Sequence, residues 1–244
     1  MKPVLGLLLV GLVCGAGPVA AACNDRSGPG VDWTGCAKQM IVMRGADLAG
    51  ATLAEANLTS TDLREADLTG ASLDNANLTL ASLKGATLAG ASMFKAYGYR
   101  IDLSGTDLSG ASMRFVELYR ASFAAANMAG ADLQNGGLPR ADFSHAILVG
   151  ADLAKVDAIR AVFDGADLSH ATLAYANIAR ASFKGAILTG SDWTEAYLYK
   201  TDLSGADLSG VKGLTEGQIA KACGDATTVL PADLATPDSW PCPD

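Results

Sequence analysis

From residue 46 to residue 210 this chain of 244 residues repeats every five residues, without insertion or deletion. Ala46–Gly50, Ala66–Gly70 and Ala206–Gly210 are typical units. A five-residue step does not match the about 3.6 residues per turn of an α-helix, so an apolar stripe would wander around the helix and no face would stay dry. The repeat therefore excludes a helical array and indicates a solenoid.

Each unit combines a short extended side with a bend. Its first and third residues, usually Ala and Leu, are two apart and point to the same side of an extended segment, while the residue between them points outward. The last two residues, often Ser-Gly or Ala-Gly, form a corner whose backbone glycine tolerates. Ala fills the first inward position in 25 of the 33 units from 46 to 210, which indicates a narrow core.

The repeat extends toward the N-terminus in the same phase. Units 41–45 and 31–35 fit it, whereas unit 36–40 fits poorly, so the predicted array covers residues 31–210, or 36 units. Four phenylalanines at the central position lie twenty residues apart, and four units per coil would stack their rings on one side. This gives about nine coils and a rod roughly 43 Å long at the usual strand spacing. The four phenylalanines are Phe123, Phe143, Phe163 and Phe183.

The array of A-[DN]-L-x-x units resembles the pentapeptide-repeat family, and the resemblance covers nearly all of the predicted mature chain. It implies an all-β solenoid, a right-handed quadrilateral β-helix whose coil contacts register as short bridges and turns. After Gly210, the sequence Thr215-Glu216-Gly217-Gln218 resembles a capping box and predicts a short C-terminal capping helix reaching about Cys223. At the other end, Trp33 occupies an inward position and is expected to cover the first coil.

The first 22 residues are typical of an export signal. Lys2 supplies a positive start, residues 4–13 are an apolar run, and residues 20–22 are three alanines. The run is too short to span a bilayer, and a buried N-terminal helix is the alternative. The predicted organisation is a signal peptide over 1–22, an extension over 23–30, the β-helix over 31–210, and a cap and tail over 211–244, with no transmembrane span in the mature chain.

Four cysteines remain once the predicted signal is removed, and an even number in an exported chain favours disulfides. The two ends of the rod are too far apart to be bridged, so Cys23 is predicted to pair with Cys36, and Cys223 with Cys242. Lipidation of Cys23 is the alternative, although Ala20 departs from the leucine usual in a lipid-attachment box. The predicted location is the bacterial periplasm or the exterior, with lipoprotein anchoring as the lesser possibility.

The sequence offers no constellation of residues for catalysis or metal binding. His145 and His170 occupy corners on different sides of the coil, and neither has a Cys or His at metal-ligand spacing. Serines recur in outward repeat positions, and no glycine-rich phosphate loop opens a helix. The protein is therefore predicted to be no enzyme and to need no cofactor.

One column departs from the repeat background, because every twentieth residue at one corner is basic. The adjoining side departs too, with Gly98 and Ala158 at central positions and several tyrosines. Two interpretations remain open. In the first, the column is paired with nearby acids and keeps the coils in register. These acids are Glu117 and Asp157 on the same side and Asp102, Asp142 and Asp202 on the next. In the second, the column docks an elongated anionic partner. The candidate strip comprises Arg100, Arg120, Arg140, Arg160, Arg180 and Lys200, with Tyr97, Tyr99, Tyr119, Tyr197 and Tyr199.

The favoured function is that of an exported, non-enzymatic scaffold or binding module. Its partner is unknown, and an acidic polymer or protein is the candidate that the basic column indicates. The net charge of −8 disfavours nucleic acid as a general partner. The family resemblance implies an alternative, a DNA mimic that binds a type II topoisomerase, which the export signal disfavours. The ligand and the oligomeric state stay open at the level of sequence.

Overall fold

The computed structural model of the chain describes residues 23–241. The predicted signal peptide and Cys242 therefore lie outside the described residues. No helix within the described part is long and apolar enough to cross a membrane.

Parallel bridges join residues that lie twenty apart along most of the array. They begin with Asp32 and Thr52 and continue side by side to Asp192 and Lys212. The amide of Leu53 donates to the carbonyl of Ser72 at 2.7 Å, and the amide of Ser72 donates back to Ala51 at 2.9 Å. This pattern recurs on each side and confirms the predicted coil of twenty residues.

On one side of the rod, two neighbouring segments pair over three residues and form β-strands. Strand β1 spans Tyr97–Tyr99 and strand β2 spans Glu117–Tyr119. They pair in parallel, with Tyr97 opposite Glu117 and Tyr99 opposite Tyr119. Both strands lie on the side that carries the predicted tyrosines.

The core consists of the inward Ala and Leu positions and of the phenylalanine series. The four rings stack along one side with centroids 4.8, 4.7 and 4.6 Å apart. Trp33, in the first coil, is only 1% exposed, as predicted for a residue that covers that end. Trp193 is fully buried and contacts the last phenylalanine, Phe183, with the ring centroids 5.1 Å apart.

The corners have the same backbone geometry whether or not they contain glycine. The amide of Ala51 closes one of them by donating to the carbonyl of Leu48 at 3.0 Å. The last residue of the unit has a positive φ, 64° at Gly50 and 55° at Ser60. Glycine is frequent there because a side chain disfavours this left-handed conformation by about 1–2 kcal/mol.

Helix α1, Glu216–Ile219, follows the array and begins at the predicted capping box. The Thr215 hydroxyl accepts a hydrogen bond from the Gln218 backbone amide, and the Gln218 side-chain oxygen accepts one from the Thr215 backbone amide at 3.0 Å. The helix is shorter than predicted, because the amide of Cys223 donates to Thr201 at 2.7 Å and so joins the last coil instead. The Gln218 amide group also donates to the carbonyl of Trp193 at 3.1 Å, which attaches the helix to the rod.

The disulfide between Cys23 and Cys36 is present, with the Cα atoms 5.4 Å apart, as predicted. Next to it, the Lys38 ammonium lies 3.6 Å from the centre of the Trp33 ring and donates to the carbonyl of Cys23 at 2.7 Å. The N-terminal extension is thereby fixed to the first coil at two points. The predicted Cys223–Cys242 pair includes a residue outside the described part and stays a prediction.

Candidate binding strip

The predicted basic column forms one exposed line along a corner of the rod. Its six members, here called the basic strip, are all exposed, and each has a positive φ between 52° and 60°. Because consecutive members are twenty residues apart, they follow one another at the spacing of the coils. The strip consists of Arg100, Arg120, Arg140, Arg160, Arg180 and Lys200.

The side that leads into this corner is shaped by small residues. A Cβ atom on Gly98 would lie 2.9 Å from the carbonyl carbon of Leu78, so the backbone of β1 approaches the preceding coil more closely than a side chain permits. Ala158 is buried at the equivalent central position two coils after Leu118. The glycine that departed from the repeat is therefore required by packing.

None of the carboxylates considered as partners forms a salt bridge with the strip in residues 23–241. Asp102 and Asp142 each accept a hydrogen bond from the serine two residues later, at 2.6 Å. Asp202 pairs with Lys184 at 3.1 Å. The carboxylate of Glu117 lies over Gly137, in the space that a side chain at that position would fill. The ion pairs of the structural interpretation are thus absent from the described part.

Aromatic rings support the strip where carboxylates do not. The rings of Tyr99 and Tyr119 are stacked with centroids 5.5 Å apart and planes at 13°. The guanidinium of Arg120 lies 5.5 Å from the Tyr119 ring centre and donates to the Tyr99 hydroxyl at 3.5 Å. The guanidinium groups of Arg100 and Arg140 lie 6.0 Å from the rings of Tyr99 and Tyr119 respectively. Such contacts orient a cation without neutralising it.

The tyrosines also affect the ionisation of one arginine. The negative charge of the ionised form of Tyr119, followed by the hydrogen bond to the Tyr99 hydroxyl, raises the pKa of Arg120 above its usual value. An arginine is already protonated at any physiological pH. Arg120 therefore keeps both its charge and its remaining N–H donors available to a ligand.

A second tyrosine cluster lies at the C-terminal end of the strip. The rings of Tyr197 and Tyr199 are 6.3 Å apart with planes at 13°, and the Lys200 ammonium lies 6.0 Å from the Tyr199 ring centre. Tyr97 and Tyr197 are about half exposed, at 46% and 49%. A cavity of about 350 Å³ adjoins Tyr199, Lys200, Lys221 and Ser239.

Lys221 extends the charged surface beyond the array, and sequence reasoning missed it. Its carbonyl accepts the Lys200 amide at 2.7 Å, and its side chain is exposed. The bridge between Asp202 and Cys223 spans 21 residues, whereas bridges inside the array, such as that between Ser182 and Asp202, span twenty. The cap therefore contains one additional residue before Cys223, which moved Lys221 out of the counted column. A search that tolerated such an insertion would have found it.

The two histidines lie where the sequence placed them, at exposed corners with positive φ. The ring of His145 lies over Gly165 and that of His170 over Gly190, in each case one coil further on. No group of three or more His, Cys, Asp or Glu side chains in residues 23–241 is arranged to hold a metal ion.

The family profile described as pentapeptide repeats matches the chain in eight copies, over residues 42–79, 61–96, 100–135, 138–173 and 176–212. The chain therefore belongs to the pentapeptide-repeat family. Members of this family form right-handed quadrilateral β-helices and are generally non-enzymatic structural or binding proteins.

Solved structures of the same family resemble this chain. HetL, a protein involved in heterocyst differentiation regulation from the cyanobacterium Nostoc sp. strain PCC 7120, is 24% identical over 90% of each chain, with a TM-score of 0.40. QnrB1, a plasmid-mediated fluoroquinolone resistance protein, is 16% identical over 79% of this chain and 90% of its own, with a TM-score of 0.47. A protein from the Arabidopsis thaliana thylakoid lumen is 34% identical over 40% of this chain and 68% of its own, with a TM-score of 0.27. No curated protein matches.

Proposed function

We propose that this protein is an exported, non-enzymatic binding module whose basic strip docks an elongated anionic partner. One observation carries the proposal. Six exposed cations follow one another a coil apart, none of them has a carboxylate partner within residues 23–241, and four of them lie against tyrosine rings.

The arrangement is unfavourable for the isolated protein. Unit charges one coil apart repel by nearly 1 kcal/mol per pair, even at the dielectric constant of water. Each strip residue also occupies a left-handed corner that glycine fills at other positions, such as Gly110 and Gly130. A bound polyanion would remove the repulsion, because its negative charges would alternate with the cations.

The proposed architecture has about nine coils over residues 31–210, with α1 as a cap on the last coil. The hydrogen bonds from Gln218 to Trp193 and Ala196, at 3.1 and 2.9 Å, support the role of α1. Export is supported by the apolar N-terminal segment of the sequence and by the Cys23–Cys36 disulfide, since disulfides persist in oxidising compartments. The periplasm or the exterior is therefore the proposed location.

The alternative function is a DNA mimic that binds a type II topoisomerase, and the net charge of −8 favours it. A mimic of duplex DNA would present acidic groups to its target. The basic strip interrupts such a surface along six successive coils of one corner. Cell fractionation separates the two proposals, because cytosolic protein with free thiols would favour the mimic over the exported module.

A charge-matched pair of variants tests the docking function. The test variant is R120S/R140S/R160S, and Ser60 occupies the same column with a φ of 55°, so serine fits this corner. The control is K84S/K95S/K155S, which removes three exposed lysines from other corners and sides. Binding to polygalacturonate, poly-L-glutamate and single-stranded DNA is measured by titration at low salt and at about 0.15 M salt. We expect salt-sensitive binding that the control retains and the test variant loses; equal binding by both variants would refute the proposal.

A further inference from the structure

Beyond the proposed function, we infer that the side of the rod that contains β1 and β2 rests on the surface of an anionic lipid bilayer. The contact surface, here called the aromatic face, consists of that side and the two corners that bound it, and the basic strip is one of these corners. In the sequence the aromatic face comprises the segments 54–60, 74–80, 94–100, 114–120, 134–140, 154–160, 174–180 and 194–200.

The aromatic side chains outside the core are concentrated on this face. All six tyrosines lie in its segments, and so do Phe94 and Phe115, the two phenylalanines outside the stacked series. Phe115 is 40% exposed and Tyr175 is 59% exposed. Both occupy corners with a positive φ, of 57° and 59°, which a bulky side chain disfavours. The core does not require rings at these exposed corners, so their placement indicates an external contact.

The aromatic face is also the positive side of the rod. It contains nine of the chain's 18 Lys and Arg residues and five of its 26 Asp and Glu residues, so nine minus five gives the face a net charge of +4, whereas the whole chain has −8. The opposite side has no cation among its outward residues from 47 to 207. Its outward aspartates are Asp47, Asp67, Asp107, Asp167 and Asp207. An anionic surface would therefore attract the rod in one orientation, with these aspartates turned away.

The face is long and has little twist. Parallel bridges join Asn57 to Asn77 and continue coil by coil to Asn177 and Tyr197, which is seven coil steps or roughly 34 Å. The planes of successive stacked phenylalanines differ by only 2°, 1° and 9°, so the coils follow one another almost without rotation. The rings around β1 and β2 and those around Tyr197 can thus meet one flat surface at the same time.

The corner across the face from the strip supplies the apolar contact. The rings of Phe94 and Phe115 pack edge to face with centroids 5.8 Å apart. The Lys95 ammonium lies 5.2 Å from the Phe94 ring centre, and the Arg114 guanidinium, which also lies 3.7 Å from Asp132, is 5.9 Å from the Phe115 ring centre. An exposed apolar ring between two cations suits insertion among lipid head groups, because the cations reach the phosphates while the ring enters the apolar boundary.

The tyrosines on the strip side of the face suit the same environment. Tyr99 and Tyr119 are stacked on each other with centroids 5.5 Å apart, and the Arg100 and Arg140 guanidinium groups lie 6.0 Å from their ring centres. The stacked faces are not available to a nucleic-acid base or a sugar. Tyrosines at the level of the head groups, with cations beside them, are the usual arrangement at a bilayer surface.

A variant that removes two rings without changing any charge tests the contact. Phe115 and Tyr175 share one column with Asn75 and Asn135, whose φ values are 57° and 58°, so asparagine fits both positions. The test variant is F115N/Y175N. It leaves all six cations of the basic strip in place, so we expect it to retain the binding of poly-L-glutamate.

The matched control removes two apolar side chains from the opposite side. Ile147 and Ile187 are 47% and 51% exposed, and Asn127 occupies their column, so I147N/I187N is the control. Binding of the full-length proteins to vesicles is measured by cosedimentation, with phosphatidylcholine alone and with about one third phosphatidylglycerol. All the proteins share residues 1–22, so any contribution of that apolar segment is the same in each.

We expect the wild type and the control to bind the anionic vesicles alone, more weakly as salt is added, and F115N/Y175N to bind them about tenfold more weakly. A second measurement reports insertion directly. The fluorescence of a Phe115→Trp variant should move to shorter wavelength with anionic vesicles and stay unchanged with poly-L-glutamate.

The outcomes separate this inference from the proposed function. If F115N/Y175N binds anionic vesicles as tightly as the control does, or if Phe115→Trp shows no shift, the bilayer inference is wrong. If poly-L-glutamate binds through the basic strip and the vesicles do not bind, the inference is wrong and the docking function stands. If the vesicles bind through the rings while R120S/R140S/R160S retains all polymer binding, the docking function fails and the bilayer contact stands. A loss of single-stranded DNA instead of vesicles in F115N/Y175N would show that the rings stack on bases and would overturn the inference.

Discussion

The ring of Phe143 lies flat against the ring of Phe163, with the centroids 4.7 Å apart and the planes at 1°. These residues are twenty apart in the chain, so the contact measures the length of one coil directly. It also means that the two inner phenylalanines, Phe143 and Phe163, are each packed between two other phenylalanine rings. The stack is therefore a continuous part of the core and not a set of independent side chains.

Loss of an inner ring should open a cavity that the coils cannot close. We expect Phe143→Ala to lower the free energy of unfolding by about 3–5 kcal/mol, as for other buried aromatic residues. Phe143→Leu should cost far less, because leucine occupies the same column at Leu103 and Leu203. Phe115→Ala is the control, since Phe115 is 40% exposed. Urea denaturation measures all three, and an equal loss for Phe115→Ala and Phe143→Ala would contradict a core role for the stack.

Gly98 should not tolerate even the smallest side chain. A Cβ atom there would meet the backbone of Leu78 and Thr79 at 2.9 and 3.1 Å, and backbone cannot rotate away. We expect Gly98→Ala to destabilise the rod by about 1–3 kcal/mol through overpacking. Gly217→Ala is the matched control, because nothing lies within 4 Å of a Cβ atom at that position in α1. Gly217→Ala should be neutral or slightly stabilising when the thermal unfolding of the two variants is compared with that of the wild type.

The length of the coil could be predicted from the sequence because the residues that must be buried repeat with the same period. The spacing of Phe123 and Phe143 requires a return every twenty residues, whatever the details of the backbone. The surroundings of the strip were less predictable, since an exposed arginine such as Arg140 can turn toward an acid or toward a ring. Lys221 was missed because the cap has its own hydrogen bonds and leaves the five-residue register. Local patterns determine the core, whereas side-chain partners at the surface depend on rotamers.

Acid should destabilise the protein through its outward aspartates. Asp67 accepts hydrogen bonds from Thr69, and these lower its pKa below the ordinary 3.8; the side-chain bond has the larger effect and the backbone amide the smaller. Ser209 lowers the pKa of Asp207 in the same way. The Arg64 side chain lowers the pKa of Asp62 to about 2. A pKa lowered by folding stabilises the folded state above the unfolded value, and this stabilisation is lost as the pH falls through the folded value. Stability should thus decline as the pH falls below about 4.

Substitution by asparagine tests whether these aspartates cause the acid sensitivity. An asparagine can make the same contacts, because Asn57 accepts hydrogen bonds from both the amide and the hydroxyl of Thr59. We expect Asp67→Asn/Asp207→Asn to retain the fold at neutral pH and to show a smaller loss of stability on acidification. Guanidinium denaturation at several pH values gives the comparison. A pH profile as steep as that of the wild type would assign the acid sensitivity to other groups.

Reduction should release the N-terminal extension from the first coil. The Cys23–Cys36 bridge closes a loop with a sequence separation of 13, and bridges of this size typically contribute about 3 kcal/mol. We expect Cys23→Ser/Cys36→Ser to lower the free energy of unfolding by up to that amount, while the backbone hydrogen bonds between coils persist from Asp47 onward. Peptide mass mapping of the wild type should recover the Cys23–Cys36 pair and the predicted Cys223–Cys242 pair. A Cys36 linked to either C-terminal cysteine would contradict the rod.

Removing one cation from the strip should stabilise the protein at low salt. Arg160 lies between Arg140 and Arg180 and, within residues 23–241, has neither a carboxylate nor an aromatic partner. Arg160→Ser should therefore relieve two repulsions and raise the free energy of unfolding by about 1 kcal/mol, a gain that salt screens away. Lys155→Ser is the control: it has the same φ of 59° at another corner, and its neighbours one coil away are Asn135 and Tyr175. If Arg160→Ser instead destabilises the rod at every salt concentration, the strip holds the coils together and the case for a docking surface is lost.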